Sequence, residues 1–186
     1  MTGNTNPCQE FFERHAHETN KAELLQRAGH AIAWETLTAS RFSPGPVSKE
    51  ESVLRLVISP VHVDAEDGSI KPTIMSDVKD KGGSVQRLAH TSREEIIAFG
   101  RALADAKNVA TPGGAIRSIC GTVKLSVHEV RGLVVAEETR AFGVFDTAKE
   151  GDSSHADIFQ IAGTPQAARS ARLQLWELAN KGFQST

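Results

Sequence analysis

The chain has few cysteines and no long apolar run. Cys8 and Cys120 are the only two cysteines among 186 residues, so the disulfide framework of a small secreted protein is not expected. The first residues have neither the basic nor the apolar region of a secretory signal peptide. No apolar stretch approaches the roughly 20 residues that a membrane span requires. These absences predict a cytoplasmic protein without a membrane partner.

An excess of positive charge is also missing. The 21 Lys and Arg residues are balanced by 23 Asp and Glu residues, and aromatic residues make up 5% of the chain. Non-specific binding of nucleic acid needs a dense cationic face, and single-strand binding needs aromatic side chains on which bases stack. The composition therefore disfavours a general nucleic-acid-binding protein, and it has enough apolar residues to form one folded domain.

Two parts are distinguished by their sequence patterns. Residues 1–8 have the composition of a disordered tail, and spaced apolar residues among charged ones predict a helical arm from Gln9 to Leu37. The break Ser43-Pro44-Gly45-Pro46 follows. We therefore expect an N-terminal tail and helical arm over residues 1–42 and an α+β body over residues 43–186.

The body combines strand and helix patterns in an irregular order. Residues 52–59 (SVLRLVIS) predict a strand, and Ser92 with Glu95, or Thr91 with Glu94, fits a capping box that begins a helix. The other predicted elements are a loop-like region over 61–84, strands over 85–88, 116–125, 133–136, 140–145 and 156–161, and helices over 126–132 and 164–182. This order lacks the regular spacing of βαβ units, so we expect an α+β fold with a mixed or antiparallel sheet, packed helices and the N-terminal arm before them.

Several polar residues have side chains suited to catalysis. His155 follows the polar turn Gly151–Ser154 and precedes an apolar run, which suits an imidazole that transfers protons at a sheet edge. Ser84 is a candidate catalytic hydroxyl, although no G-x-S-x-G elbow surrounds it. Arg55 and Arg87 are candidate substrate-binding residues, because a guanidinium stays charged and binds anions.

Metal and phosphate sites are less well indicated. His62 with Asp64 and His155 with Asp157 each place an imidazole and a carboxylate two residues apart, on the same side of a strand. No diagnostic ligand spacing accompanies these pairs, so no metal site is predicted and no cofactor is indicated. The glycines in D-V-K-D-K-G-G-S-V-Q-R (residues 77–87) allow either an anion-binding loop or a solvated turn.

The segments LRLVISPVHVDAEDGSIKPTIMSDVKDKGGSVQRL and RAFGVFDTAKEGDSSHADIFQI resemble short uncharacterised bacterial proteins. An arginine-bearing first strand, an S-V-x-R element and a late H-A-x-I element follow each other in that group, to which no activity is attached. The resemblance covers residues 53–161 and implies that Arg55, Ser84, Arg87 and His155 share one site. The same order is loosely similar to ADP-ribosyltransferase-like folds, but the late catalytic glutamate is absent, and His155 or Asp157 stands in its place.

Two functions remain open at this stage, and the sequence does not decide whether the protein is an enzyme. The first is a non-catalytic subunit or adaptor that binds a protein partner through the arm. The alternative is a toxin-like or nucleotide- or RNA-processing enzyme that binds an anionic substrate. In that enzyme Arg55 and Arg87 hold the anion, Ser84 donates a hydrogen bond to it, and His155 is the acid or base.

Overall fold

The computed structural model describes residues 6–64, 66–136 and 138–186. Its helices are α1 (Pro7–Arg14), α2 (Lys21–Ala28), α3 (Ala31–Trp34), α4 (Arg93–Ala110), α5 (Val127–Gly132) and α6 (Pro165–Lys181), together with a 3₁₀ helix (Pro72–Lys79). Its strands are β1 (Ser52–Ser59), β2 (Gly83–Arg87), β3 (Ser118–Ser126), β4 (Val134–Ala136), β5 (Thr139–Arg140), β6 (Phe142–Phe145), β7 (His155–Gln160) and β8 (Phe183–Ser185). None of the helices in these ranges is both long and apolar enough to cross a membrane.

The main sheet has six strands in the order β6-β7-β2-β1-β3-β8. Each neighbouring pair is antiparallel, and β4 and β5 form a separate hairpin. The expected α+β class is confirmed, and the sheet is antiparallel. The predicted capping box of Ser92 and Glu95 is complete, and at the start of α5 the Ser126 hydroxyl accepts a hydrogen bond from the Glu129 amide.

Some elements differ from the sequence prediction. The region 61–84 contains the 3₁₀ helix, whose residues Ile74, Met75 and Val78 are buried in the main core. The predicted strand 140–145 is divided, because β5 pairs with β4 whereas β6 lies beside β7. The chain after Gly182 forms β8, and helix α1 begins at Pro7, inside the expected tail. Residues 1–5 of that tail lie outside the described residues.

Helices cover the two faces of the sheet unequally. On one face, α6 and the 3₁₀ helix bury the main apolar core. On the other face, α4 packs over β1 and β3. Gly100 permits this approach, because a Cβ atom there would lie 2.8 Å from the Leu56 methyl groups.

The N-terminal helices cover the opposite edge of the second face. The Phe12 ring centroid lies 5.3 Å from that of Phe145 in β6 and 5.5 Å from that of Phe159 in β7. The Glu35 carboxylate, which follows α3, forms ion pairs with Arg131 and Arg140 of the body. Three short helices therefore lie within residues 7–34, where a helical arm was expected, and their apolar side chains share a core with the body.

A strip of the second face lies between α4 and α1. The register pairs Ser84 with Asp157 and Gln86 with His155, so these four side chains point to one face. Leu54 pairs with Gln86 and lies on that face too. The fold therefore places a polar patch of β2 and β7 between two helical walls.

Candidate active site

A cavity of about 590 Å³ lies over this strip. Ser84, Gln86 and His155 form part of its floor, and Phe99 and Leu103 of α4 form one wall. The opposite wall comes from the loop 146–154, which connects β6 to β7 and contributes residues 149–152. This volume lies within the range of roughly 300–1,000 Å³ that is usual for small-molecule sites.

The loop 146–154 is tied to the floor by polar contacts. The Gln86 side-chain amide donates a 3.0 Å hydrogen bond to Asp152, and the Ser154 hydroxyl lies within hydrogen-bond distance of Asp152, at 2.9 Å, and of the Gln86 side-chain oxygen. Because these bonds join the loop to β2, they fix the position of the cavity wall relative to the floor.

Ser84 and His155 meet at the centre of the floor. The Ser84 hydroxyl donates a 3.0 Å hydrogen bond to Oδ1 of Asp157, and its Oγ lies 3.3 Å from Nε2 of His155. The serine is exposed to the cavity, whereas the imidazole is buried. The distance between the hydroxyl and the imidazole is close to that of a nucleophile and its general base, which is often slightly long without substrate.

The other side of the imidazole is held by the loop. The Nδ1 atom of His155 lies 3.0 Å from the carbonyl oxygen of Thr147. A carbonyl only accepts hydrogen bonds, so this contact favours a proton on Nδ1 and leaves Nε2 as the acceptor on the side of Ser84. The Thr147 hydroxyl in turn donates a 2.7 Å hydrogen bond to Asp157, which orients the carboxylate beneath the serine and the histidine.

Lys149 brings a positive charge to the same place. Its Nζ atom lies 3.0 Å from Nε2 of His155, and the side chain comes from the exposed part of the loop. Ser84 and Lys149 therefore share one imidazole nitrogen. A substrate that attracts the ammonium group would leave Nε2 to the serine hydroxyl alone.

Arg55 lines the cavity but is already paired. Its guanidinium donates to both carboxylate oxygens of Asp77, at 3.0 and 2.9 Å, and to the Ser84 carbonyl oxygen at 3.1 Å. Its Nε atom is buried and has no hydrogen-bond partner among the described residues. The paired residues of β1 and β2 are Val53 with Arg87 and Leu54 with Gln86, and beyond them Arg55 links the two strands through its side chain.

Arg87 lies away from this cavity. It is 3% exposed, binds Glu51 through two nitrogens, and donates to the carbonyl oxygen of Gly45 at 2.7 Å. A further contact of 3.4 Å joins it to Asp146. Arg87 therefore stabilises the segment before β1.

Of the four residues that the resemblance implies to share a site, Arg55, Ser84 and His155 line one cavity, and Arg87 does not.

The glycines between the 3₁₀ helix and β2 serve packing. A Cβ atom at Gly82, whose φ is +102°, would lie 2.5 Å from the Phe159 ring, and one at Gly83 would lie 2.8 Å from Val78. The space beside these two glycines is therefore filled by the side chains of Phe159 and Val78. The interpretation of 77–87 as an anion-binding loop therefore has no support from these contacts.

The histidine-aspartate pairs do not assemble into a larger cluster. Across the described ranges 6–64, 66–136 and 138–186, no group of three or more His, Cys, Asp or Glu residues is placed to hold a metal ion. The Nδ1 atom of His62 accepts a 3.2 Å hydrogen bond from the Ile58 amide. His155 Nδ1 and Asp157 Oδ2 are 4.0 Å apart.

Sequence reasoning missed Thr147, Lys149 and Asp77. Thr147 and Lys149 lie in a loop without a motif, and their contacts with His155 depend on how that loop folds back. The spacing of Asp157, two residues after His155 in a strand, predicts that both side chains lie on one face. That spacing suggested a metal-binding pair and did not indicate the contact of Asp157 with Ser84.

Comparisons with known proteins add no relative. No family model matches the chain, and neither a curated protein nor a solved structure matches it.

Proposed function

We propose that the protein is an enzyme that hydrolyses a small ester in this cavity, with Ser84 as nucleophile and His155 as general base. The observation that carries the proposal is the contact of the exposed Ser84 hydroxyl with Nε2 of an imidazole whose Nδ1 faces a backbone carbonyl. An adjacent base that is oriented by a third group is what makes a serine nucleophilic.

The reaction proceeds in two steps, acylation of Ser84 and hydrolysis of the acyl-serine. The Ser84 hydroxyl first turns from Asp157 to Nε2 of His155. Its Oγ then forms a bond to the ester carbonyl carbon as its proton moves to Nε2, and the alcohol leaves with that proton as its bond to the carbonyl breaks. The oxygen of a water molecule then forms a bond to the carbonyl carbon of the acyl-serine as one water proton moves to Nε2. The bond between that carbon and Ser84 Oγ breaks, the acid leaves, and the proton on Nε2 returns to Oγ. Asp157 stabilises the imidazolium that forms in each step, since its carboxylate lies 4.0 Å from Nδ1.

Lys149 fits the role of stabilising the developing negative charge. It is the ammonium group that already touches His155, and a cation near the carbonyl oxygen lowers the energy of a tetrahedral intermediate. Thr147 is a positioning residue, because it contacts His155 and Asp157 rather than the substrate.

The two functions raised by the sequence receive less support. Binding of a nucleotide or RNA needs uncompensated positive charge, but Arg55 is neutralised by Asp77 and Arg87 lies outside the cavity. An adaptor that binds through the arm needs its aromatic residues to be accessible, but Phe12 is buried against Phe145 and Phe159 of the body, and Phe11 is buried against Phe12 and Trp34. We therefore place both behind the hydrolytic proposal.

The test is covalent labelling with a fluorophosphonate probe, which reacts with activated serines. We expect the intact mass of the wild-type protein to increase by one probe, the Ser84→Ala variant to stay unlabelled, and His155→Gln to react at least about 100-fold more slowly. Ser170→Ala, at an exposed serine on α6, is the matched control and should label like the wild type. Labelling that survives Ser84→Ala, or a folded wild-type protein that takes up no probe, contradicts the proposal.

A further inference from the structure

The cavity has an apolar wall that the chemistry at Ser84 does not use. Phe99 and Leu103 are large apolar residues of α4, yet they are 50% and 52% exposed. They are four residues apart, so they lie on one face of the helix. Across the cavity, Leu56 and Ile58 of β1 line the same space. Exposed apolar residues that gather around one cavity mark a ligand-binding surface.

The charges of the cavity disfavour an anionic ligand. Arg55 is paired with Asp77, and Lys149 is the other cation among the lining residues. Glu150 and Asp152 lie beside that lysine in the same wall. The lining therefore carries two positive and three negative side chains, and a ligand with several negative charges would be repelled.

We infer that the substrate is an uncharged ester with an apolar group of medium length, which lies against Phe99 and Leu103 while the ester carbonyl reaches Ser84. The ester linkage rests on the hydrolysis proposed above, whereas the apolar group rests on the cavity alone. A volume of about 590 Å³ holds one such molecule. Transfer of each methylene from water to this wall favours binding.

The first experiment measures kcat/KM for 4-nitrophenyl esters from acetate to octanoate. We expect an increase of about two- to fourfold for each methylene until the cavity is filled. In the Phe99→Ala/Leu103→Ala double variant the ratio of hexanoate to acetate hydrolysis should fall toward one. Val109→Ala is the matched control, because Val109 is an exposed apolar residue of the same helix outside the cavity lining, and it should keep the wild-type ratio.

The second experiment separates the apolar group from the reaction. Binding of uncleavable 4-nitrophenyl alkyl ethers to the Ser84→Ala variant is measured by calorimetry, and a thermal melt confirms that each variant is folded. We expect the hexyl ether to bind at least about tenfold more tightly than the ethyl ether. Addition of Phe99→Ala and Leu103→Ala should remove this difference, and addition of Val109→Ala should not.

The outcomes distinguish the two proposals. If the probe labels Ser84 but neither ester hydrolysis nor ether binding depends on chain length, the apolar substrate is overturned and the hydrolase stands. If the ethers bind with the expected preference but the probe leaves Ser84 unlabelled, the apolar site stands and hydrolysis is overturned. Equal or tighter binding of an anionic analogue such as 4-nitrophenyl hexyl phosphate contradicts the inference that the ligand is uncharged.

Discussion

His62 shows how the cavity acts on a single titratable side chain. Burial, with a smaller contribution from the nearby Arg55 charge, lowers the pKa of this imidazole from 6.5 to about 4. Asp146 is affected in the opposite direction, because burial raises the pKa of its carboxyl group to about 6 even though Arg87 favours the charged form. His62 is therefore neutral and Asp146 is partly protonated in the folded protein near pH 6.

These shifts predict a pH-dependent effect of His62→Asn on stability. As the pH falls from 6.5 to 4, the unfolded wild-type chain takes up a proton at His62 before the folded chain does, so folding loses stability over this window. Asparagine does not titrate and still offers an acceptor to the Ile58 amide. The free energy of unfolding of His62→Asn should therefore rise relative to the wild type by about 2 kcal/mol from pH 7 to pH 4.5, less than the full shift implies because the ring is only partly buried.

Urea denaturation at several pH values measures this difference. Asp146 changes stability in the opposite sense, since its folded pKa of about 6 exceeds the ordinary 3.8 and stability is gained as the pH falls through that range. The wild-type profile alone is therefore uninformative, and the difference between the variant and the wild type isolates His62. Parallel profiles from pH 7 to pH 4.5 would contradict the assigned pKa.

Residue types could be read from the sequence, but their partners could not. Arg55 and Arg87 were both expected to bind substrate, and nothing local distinguishes them. Asp77, 22 residues away, neutralises Arg55. Glu51, 36 residues away, binds Arg87. Ser84 and His155 meet across 71 residues because β2 and β7 pair, and that pairing has no signature in either strand.

At the scale of elements, β8 is the part least evident from the sequence. It follows α6 directly and pairs with β3 at the edge of the sheet. Gly182 makes the junction, since a Cβ atom there would lie 1.9 Å from the Lys124 carbonyl oxygen. The Lys124 carbonyl oxygen belongs to the backbone of β3, so it cannot move away from an added Cβ atom as the end of a flexible side chain can.

The variant Gly182→Ala should therefore detach β8 from β3. We expect a loss of about 1–3 kcal/mol in the free energy of unfolding, which is limited because a three-residue edge strand can separate without unfolding the rest. Hydrogen exchange should accelerate at the Lys124 amide, which donates to the Gly182 carbonyl oxygen. Gly132→Ala is the control, because a Cβ atom there meets nothing within 4 Å. Equal exchange in the two variants would count against this packing.

Local signals predicted the elements with strong patterns and missed those defined by tertiary contacts. The strand 52–59 has its predicted bounds and the capped helix has its predicted start at Ser92, because propensity and capping act within a few residues. The 3₁₀ helix lies where the sequence pattern predicts a loop, since its buried residues lie in a short segment without a helical repeat. Phe142–Phe145 is buried on both faces, so alternation could not assign it to the main sheet.

At the scale of the whole molecule, the N-terminal helices stabilise the half of the sheet that carries His155 and Asp157. Phe145 pairs with Asp157 in the register of β6 and β7, and its ring packs on Phe12. Glu35 adds ion pairs from the end of α3 to Arg131 and Arg140. The adaptor hypothesis expects a body that folds without residues 1–42, whereas this packing predicts a body that does not.

Deletion of residues 1–42 should therefore give an aggregated or unfolded chain, because it exposes Phe145 and Phe159 and leaves Arg131 and Arg140 without Glu35.

A milder change, Phe12→Ala, should cost about 3–4 kcal/mol in the free energy of unfolding and slow probe labelling of Ser84 through movement of β7. Ile32→Ala removes an exposed apolar residue of the same arm and should change stability by less than about 0.5 kcal/mol. Urea denaturation and size-exclusion chromatography measure these outcomes. A truncated body that is monomeric, cooperatively folded and fully reactive toward the probe would show that the arm is separable and would return the adaptor hypothesis to first place.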